Sequence, residues 1–339
     1  MTTTQVGGRL IGKGAYGCVF DPAPRCAGAS VFKKPEGPVV GKITVDEETE
    51  ELEIGKKIMA LPLARAYYAL PTVGCRPDTI TDPDAKSCSV ITDANEYTRL
   101  SLLLMPAAGQ QLLKWGTNLR HAADNYVKIF IHLLEGMIIY QTAGYVHNDI
   151  HDANILVDEL GVARYIDFGM AFRPADVKTW GDANLGRTFR PKYTWQPPEL
   201  QAWRMYLNSV ATEVGVERLK QVSDDYKDIE KSFGRSTIVE LSRFINEDTY
   251  VRNDDFGGFV RAYGFLFDAW RLGLTMFMIW RNLLLLPGFK DSNLYKHYNT
   301  VIKQILSGLT EFDPRRRLSA RAALTLLDPQ NRMIGAGPS

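Results

Sequence analysis

The strongest constraint on the fold is a change of pattern part-way along the 339-residue chain. The first hundred residues carry short apolar and β-branched runs separated by turns, as in 9–20 and 39–45, and these predict β-strands. Beyond residues 106–109 the pattern becomes helical, with a long apolar helix predicted over 124–142. This order predicts a mixed α+β fold with a small β-rich lobe and a large helical lobe.

The predicted domains follow from that change. We expect the first lobe to span 1–106 and the second 107–330, followed by a loose tail over 331–339. Hydrophobic residues make up 45% of the chain, which suits a sizeable core. The net charge of +1 provides no field that would attract nucleic acid or an anionic membrane, so we expect neither as a partner. The sequence leaves the oligomeric state open.

Cysteine usage predicts a reduced, intracellular and cytoplasmic protein. The four cysteines are widely spaced and form no C-x-x-C pair, so neither a zinc site nor a disulfide framework is expected. The polar start of the chain lacks the apolar core of a signal peptide. The most apolar run, 272–286, is interrupted by Arg281 and is short for a membrane span, so we interpret it as a buried helix. The cysteines are Cys18, Cys26, Cys75 and Cys88.

Three glycines predict a turn whose backbone can approach an anion closely. Gly12, Gly14 and Gly17 form a G-x-G-x-x-G pattern, which also marks dinucleotide-binding folds. In those folds a helix follows the glycines, whereas here a strand continues through Val19 and is broken at Pro22. A hairpin that covers phosphates fits better, because glycine lets backbone N–H groups approach an anion. A plain glycine hairpin remains the alternative.

A lysine in a predicted strand is the candidate cation for phosphate oxygens. Lys42 needs a carboxylate partner to stay charged and positioned. The predicted helix that follows is rich in glutamate. We prefer Glu51, because Ile54 and Ile58 lie three and seven residues beyond it and place it at the border of the buried stripe. Glu53 is the second choice.

The most restrictive pattern is a set of polar residues in fixed order. Phosphoryl transfer needs an acceptor for the proton of the attacking hydroxyl and hard oxygen ligands for Mg²⁺. Asp149 can accept the proton, and Asn154 and Asp167 can hold the metal. Chance agreement with this order and spacing, after a strand lysine, would be rare.

Together these motifs resemble the eukaryotic-type protein kinase superfamily, over about 12–326. The resemblance implies a bilobal kinase-like fold, ATP and Mg²⁺ as cofactors, and phosphorylation of proteins on Ser or Thr. The matching motifs are the glycine loop, Lys42, 147–149 with Asn154 (H-R-D…N), 167–169 (D-F-G), 197–199 (A-P-E), 268–273 (D-x-W-S-x-G) and 313–317 (D-P-x-x-R).

The resemblance also implies a role for each site residue. Lys42, held by Glu51, places the phosphates, and Asp149 orients the acceptor hydroxyl. Arg317 is implied to pair with Glu199, and His147 to be a packing residue. The residues implied around the nucleotide are Gly12, Gly14, Gly17, Val19, Val40, Lys42, Met105, Ala107 and Leu156, with Asn154 and Asp167 on the metal.

Several positions depart from the family pattern. Asn148 replaces the arginine that normally grips a phosphate on the activation loop, so we expect activity without phosphorylation there. His151, the fourth residue assigned to catalysis, replaces a lysine of Ser/Thr kinases and is common in kinases of small molecules. A small-molecule kinase and a non-catalytic pseudokinase scaffold therefore stay as alternatives.

Two further features complete the prediction. Between Glu199 and Asp268 the chain has more residues than the kinase family usually has. We interpret 200–262 as a mainly helical insertion that packs on the large lobe. The segment 14–20 resembles kinases encoded by large DNA viruses, which would place the protein in a host cell or virion.

Overall fold

The chain folds as a mixed α+β protein with a small antiparallel sheet and many helices. The computed structural model describes residues 8–14, 17–28, 37–45, 49–78, 87–91, 99–179, 195–207, 224 and 226–335. The chain divides into two compact units. The first unit comprises Met1–Gly109 and Arg164–Gly169, and the second comprises Gln110–Ala163 and Met170–Ser339.

The first unit contains a five-stranded antiparallel sheet of order β1-β2-β3-β5-β4. In β3 the register places Lys42 opposite Val19 on one neighbouring strand and Leu103 on the other. The strands are β1 (Arg9–Lys13), β2 (Gly17–Asp21), β3 (Val39–Val45), β4 (Val73–Cys75) and β5 (Leu100–Pro106). The described residues of this unit also form the helices α1 (Thr49–Met59) and α2 (Ala64–Tyr67).

The two faces of this sheet carry different side chains. Successive residues of a strand point to opposite faces, so β3 directs Ile43 to one side and Lys42 to the other. Ile43 packs in an apolar cluster with Phe20 and Leu102. Val40 packs with Leu103 and other residues of a second, smaller cluster on the face that carries Lys42.

Two disulfides cross-link the first unit. Cys18 of β2 is bonded to Cys88, and Cys26 is bonded to Cys75 of β4. The expectation that the cysteines form no disulfide framework is wrong. Their separations of 70 and 49 residues conceal the pairing, because the sheet and its connections bring the partners together rather than any local motif. Disulfides persist in oxidising compartments, so this finding counts against the expected reduced, cytoplasmic setting.

The second unit is built around one long helix. It contains β6 (Gln110–Gln111), which pairs antiparallel with β7 (Ile155–Val157), and the first residue of β8 (Ala163–Tyr165). Its helices are α3 (Leu112–Gly116), α4 (Leu119–Thr142), α5 (Pro198–Leu207), α6 (Lys227–Phe233), α7 (Thr237–Glu247), α8 (Thr249–Arg252), α9 (Phe256–Leu283), α10 (Asn293–Leu309), α11 (Ala320–Leu327) and α12 (Arg332–Gly335).

Helix α9 forms the centre of that unit. Asp255 caps its first turn by accepting a hydrogen bond from the N–H of Gly258. Residues 267–277 are buried without a break, so every side of this part of the helix is covered by protein. The apolar run 272–286 is predicted from the sequence to be a buried helix. Its residues up to Leu283 belong to α9, which ends there. Among the described residues, no helix is long and apolar enough to cross a membrane.

The described part of the segment 200–262 is mainly helical, with turns between the helices. Helix α5 begins at Pro198, just before this segment, and α6 to α8 lie within it. Helix α9 begins within it at Phe256. Trp203 of α5 packs against Phe256 and Phe259, with ring centroids 5.4 and 4.8 Å apart, in the apolar core of the second unit. Helix α5 thus contributes to this core, and the interpretation of 200–262 as an insertion stays a prediction. Leu219 and Val222, whose spacing suggested a helix, lie outside the described residues.

The first prediction concerns the disulfides. Because all four cysteines are bonded, the unfolded but unreduced protein should react with a thiol reagent at no position. The pair Cys26→Ser and Cys75→Ser should lower the free energy of unfolding by about 2–4 kcal/mol, because a cross-link restricts the unfolded chain. Mass spectrometry after alkylation, together with urea unfolding, measures both effects. One or more reactive thiols in the unreduced wild type would contradict the pairing.

The second prediction concerns a carboxyl pair of the second unit. Burial, together with the neighbouring Glu311 carboxyl, raises the pKa of Glu240 to about 7. One carboxylate oxygen of Glu240 and one of Glu311 are buried without a hydrogen-bond donor among the described residues. A proton shared between the two carboxyl groups would supply the missing hydrogen bond. Between the ordinary pKa of 4.5 and about 7, the folded state binds more protons than the unfolded state, so stability falls as pH rises.

Replacing Glu240 with Gln removes this dependence. The difference in the free energy of unfolding, Glu240→Gln minus wild type, should increase from about pH 5 to about pH 8 and then stay constant. Most of the change should fall between the two pKa values, 4.5 and about 7. Exposed Glu159→Gln is the control and should show no such trend. A difference that is independent of pH would contradict the shared proton.

Candidate active site

In the first unit, Lys42 is a buried cation held by two carboxylates. Its Nζ lies 2.7 Å from Oε2 of Glu51 on α1 and 3.0 Å from Oδ1 of Asp167. Glu53, the second choice from the sequence, is exposed and pairs with Lys56 at 2.8 Å. The structure therefore pairs Lys42 with the preferred glutamate.

Electrostatics keep this lysine charged. Burial alone would lower the pKa of Lys42, but the carboxylates of Asp167 and Glu51 outweigh it and raise the pKa above its ordinary value. The Asp167 side chain is 38% exposed, whereas that of Glu51 is 2% exposed. Asp167 is thus the carboxylate that solvent, or a ligand, can reach.

Backbone geometry sets the position of Asp167. This residue has a φ of 59°, in the left-handed region that few non-glycine residues occupy. A Cβ at Gly169 would lie 3.2 Å from Oδ1 of Asp167 and 3.6 Å from Oε2 of Glu51. Glycine at this position leaves room for the two carboxylates that hold Lys42.

The glycines of the predicted phosphate turn differ in their surroundings. A Cβ at Gly17 would lie 2.4 Å from the carbonyl oxygen of Ile43, so close approach of β3 requires glycine there. At Gly12 and Gly14 a Cβ would meet no atom nearer than 3.5 Å. Packing among the described residues does not require glycine at these two positions. Gly12 is paired with Val19 of β2, and the N–H of Gly14 donates a 2.8 Å hydrogen bond to the carbonyl oxygen of Gly17.

The residues implied around adenine lie partly on one face of the sheet. Val19 and Val40 belong to the same small apolar cluster as Met105, on the side that carries Lys42. Ala107 is exposed, and its N–H donates a 2.9 Å hydrogen bond to the carbonyl oxygen of Pro38. Its N–H is therefore already used. Leu156 lies on β7 and belongs to the second unit.

In the second unit, the loop 147–154 brings Asn154 onto Asp149; it is called the catalytic loop after the kinase motif that it resembles. The amide nitrogen of Asn154 donates to the backbone oxygen of Asp149 at 2.9 Å and to its carboxylate Oδ2 at 3.0 Å. This contact fixes the carboxylate and orients the Asn154 amide oxygen away from it. His147 is buried, and its Nδ1 accepts the N–H of Asp149 at 3.3 Å, so it supports the loop from within the core.

His151 is oriented by its own loop. Its Nδ1 accepts the N–H of Ala153 at 3.2 Å, which places the proton of the neutral ring on Nε2. That nitrogen lies 3.8 Å from Oδ2 of Asp149, beyond direct hydrogen bonding. The ring of Trp195 meets the imidazole edge-on at 5.9 Å. Trp195 is a neighbour that the sequence motifs did not indicate.

A buried carboxylate on α9 holds the catalytic loop. Asp268 accepts the backbone N–H of His147 at 2.7 Å and that of Asn148 at 2.9 Å. It also accepts the hydroxyl of Tyr140 of α4 at 2.9 Å. The start of the loop is thereby fixed to two helices of the second unit.

A second buried ion pair links distant parts of this unit. Arg317 donates from two nitrogens to the two carboxylate oxygens of Glu199, at 2.6 and 2.7 Å. Its guanidinium also lies 5.1 Å from the ring centre of Trp270. The pairing expected from the kinase resemblance is present.

The oxygen donors fit the expected metal in kind. Mg²⁺ takes few protein ligands, mostly carboxylate and amide oxygens, and keeps several waters. The partly exposed carboxylate of Asp167 and the amide oxygen of Asn154 are donors of this type.

No protein-family model matches the chain, and no match was found among curated proteins. The functional interpretation therefore depends on the chemistry of these residues.

The third prediction concerns the Lys42 cluster. Lys42→Met leaves the Glu51 carboxylate buried without its cation, and should cost about 3–5 kcal/mol of unfolding free energy. Adding Glu51→Leu should recover part of this loss, because the unpaired charge is removed as well. Urea unfolding measures both variants. Lys56→Met breaks the exposed pair with Glu53 and is the control, with no measurable change expected. Equal losses in the single and double variants would contradict the pairing.

Proposed function

We propose that this chain is an ATP- and Mg²⁺-dependent protein kinase that transfers a phosphoryl group to Ser or Thr hydroxyls. The proposal includes a bilobal kinase-like fold, with the first unit as the small lobe and the second as the large lobe. The observation that carries it is the cluster of Lys42, Glu51 and Asp167. Three residues singled out for phosphate chemistry, up to 125 positions apart in sequence, meet within 3.0 Å.

In this proposal the first unit handles the phosphates. When bound, ATP supplies the phosphoryl group and Mg²⁺ neutralises charge on its oxygens. Lys42 is charged and held by Glu51, so it can place phosphate oxygens without moving. Asp167 offers its exposed carboxylate to the metal. The turn that carries Gly12, Gly14 and Gly17 is proposed to cover the phosphates, as the kinase resemblance implies.

The second unit handles the acceptor hydroxyl. Asp149 orients the hydroxyl and takes its proton, and the amide of Asn154 keeps the carboxylate in place for that task. Since the reaction depends on positioning more than on covalent chemistry, a loop fixed by Asp268 suits it. The amide oxygen of Asn154 is a donor of the kind that Mg²⁺ takes.

His151 bears on the choice of acceptor. Its Nε2–H can donate to a phosphate oxygen in place of the usual lysine, so the substitution changes strength more than kind. The Glu199–Arg317 ion pair and the Asp268 helix favour a protein acceptor, because small-molecule kinases of this superfamily generally lack them. A small-molecule kinase is the second candidate, favoured only by His151.

The fourth prediction tests the transfer reaction. The purified chain with radiolabelled ATP, Mg²⁺ and a mixture of generic proteins should label serine or threonine. Asp149→Asn should lower the rate about 10²-fold or more while the melting temperature is kept, because the proton acceptor is lost from a partly exposed side chain. Phosphoamino-acid analysis and initial rates measure the outcome.

Its control is an exposed aspartate of the same unit. Asp228→Asn removes a surface partner of Arg281 and should leave the rate unchanged. Label in a small metabolite but in no protein would contradict the Ser/Thr assignment and leave phosphoryl transfer standing. Absence of any ATP turnover would favour a scaffold and overturn the proposal.

A further inference from the structure

Helix α9 carries a fully buried cation that contacts the catalytic loop. The Arg271 side chain is 0% exposed, and its Nη2 donates a 2.9 Å hydrogen bond to Oδ1 of Asn148. Its Nη1 lies 3.7 Å from Oδ1 of Asp268, and neither Nε nor Nη1 has a hydrogen-bond partner among the described residues. A buried guanidinium is costly without a counter-charge, and Asp268 provides it.

Asn148 links this cation to two parts of the second unit. It is buried, and its side-chain nitrogen lies 3.4 Å from the carbonyl oxygen of Met170, which directly follows the 167–169 motif. Its backbone has a φ of 65°, a conformation that asparagine adopts more readily than most residues. Asn148 therefore contacts Arg271, the loop backbone and Met170 together, and Asp149 is its immediate neighbour.

A neutral side chain at 148 suits the positive charge of Arg271. An arginine at 148 would place a second guanidinium beside Arg271, where the Asp268 carboxylate is the counter-charge. Two like charges in a buried site repel strongly. A neutral side chain at 148 avoids this repulsion. The cation at this point then comes from Arg271 of α9 and not from residue 148 of the loop. Arg271 stands where the D-x-W-S-x-G motif has serine, so the residues at two departures from the kinase motifs contact each other.

We propose that Arg271 is a positioning residue for the catalytic loop. It holds Asn148, and through it Asp149, from inside the core, so that no phosphate on the chain is required to order the loop. A phosphate cannot reach a guanidinium that is 0% exposed without opening the core. The effect on catalysis rests on the proposed kinase function, whereas the coupling between the two side chains does not.

A double-mutant cycle tests the inference. Asn148→Arg and Arg271→Ser should each lower kcat about tenfold, with a smaller change in the KM for ATP, because they displace the group next to the proton acceptor. The double variant should recover most of the loss in kcat and in melting temperature. The strain of arginine at the left-handed φ is present with and without Arg271, so it cancels in the cycle. If Asn148→Arg alone does not fold, recovery of folded protein in the double variant is the expected coupling.

Two further variants separate positioning from general stability. Arg271→Lys keeps the charge and should retain more of kcat than Arg271→Ser. Arg235→Ser removes another mostly buried arginine, 13% exposed and paired with Glu311, and should lower the melting temperature without coupling to Asn148→Arg. Phosphatase treatment of the wild type should leave kcat unchanged.

Three results would overturn the inference. Additive losses in the cycle would show that the two side chains do not act together. A lower melting temperature with unchanged kcat in Arg271→Ser would make the residue structural only. Loss of kcat after phosphatase treatment would show that a phosphate is needed after all. A wild type that transfers no phosphoryl group contradicts the proposed function instead, and the melting temperatures of the cycle still report the contact.

Discussion

The architecture of the second unit depends on one buried carboxylate. Asp268 is fully enclosed, and an unpaired charge in such a place would be untenable. It is stabilised by two backbone N–H groups of the catalytic loop, by the Tyr140 hydroxyl and by the nearby guanidinium of Arg271. The charge of Asp268 is stabilised only while these donors lie close to it. The carboxylate therefore restricts the positions that the loop can take.

The helix that carries Asp268 must be rigid for this constraint to act. Its buried stretch packs closely enough that a Cβ at Gly273 would lie 2.6 Å from the Cβ of Leu309 on α10. Trp270, one turn from Gly273, is fully buried and contacts Tyr226 and Phe312. Such packing leaves little freedom for a rotation or shift of the helix. The positions of Asp268 and Arg271 are thus set by the core and transferred to the loop.

Part of this arrangement was readable from the sequence. The spacing of Ile54 and Ile58 singled out Glu51, because that argument depends on local geometry alone, whereas Val40 followed from the kinase resemblance. The disulfides could not be predicted, since sequence separation does not encode which strands become neighbours. Arg271 was also missed as a partner of Asn148, although each residue visibly departed from the kinase motifs. Their complementarity becomes evident only when the fold brings these two residues, 123 positions apart, into contact.

The return of residues 164–169 to the first unit has a consequence for the order of folding during synthesis. Lys42 and Glu51 leave the ribosome early, but Asp167 follows Lys42 by 125 residues. At roughly 5–20 residues per second, this gap corresponds to a delay of about 6–25 seconds. Until then Glu51 is the carboxylate that can balance the lysine, and the first unit reaches its final charge only after residues 110–163 of the second unit have been translated. A unit that is discontinuous in the gene cannot mature in simple N-to-C order.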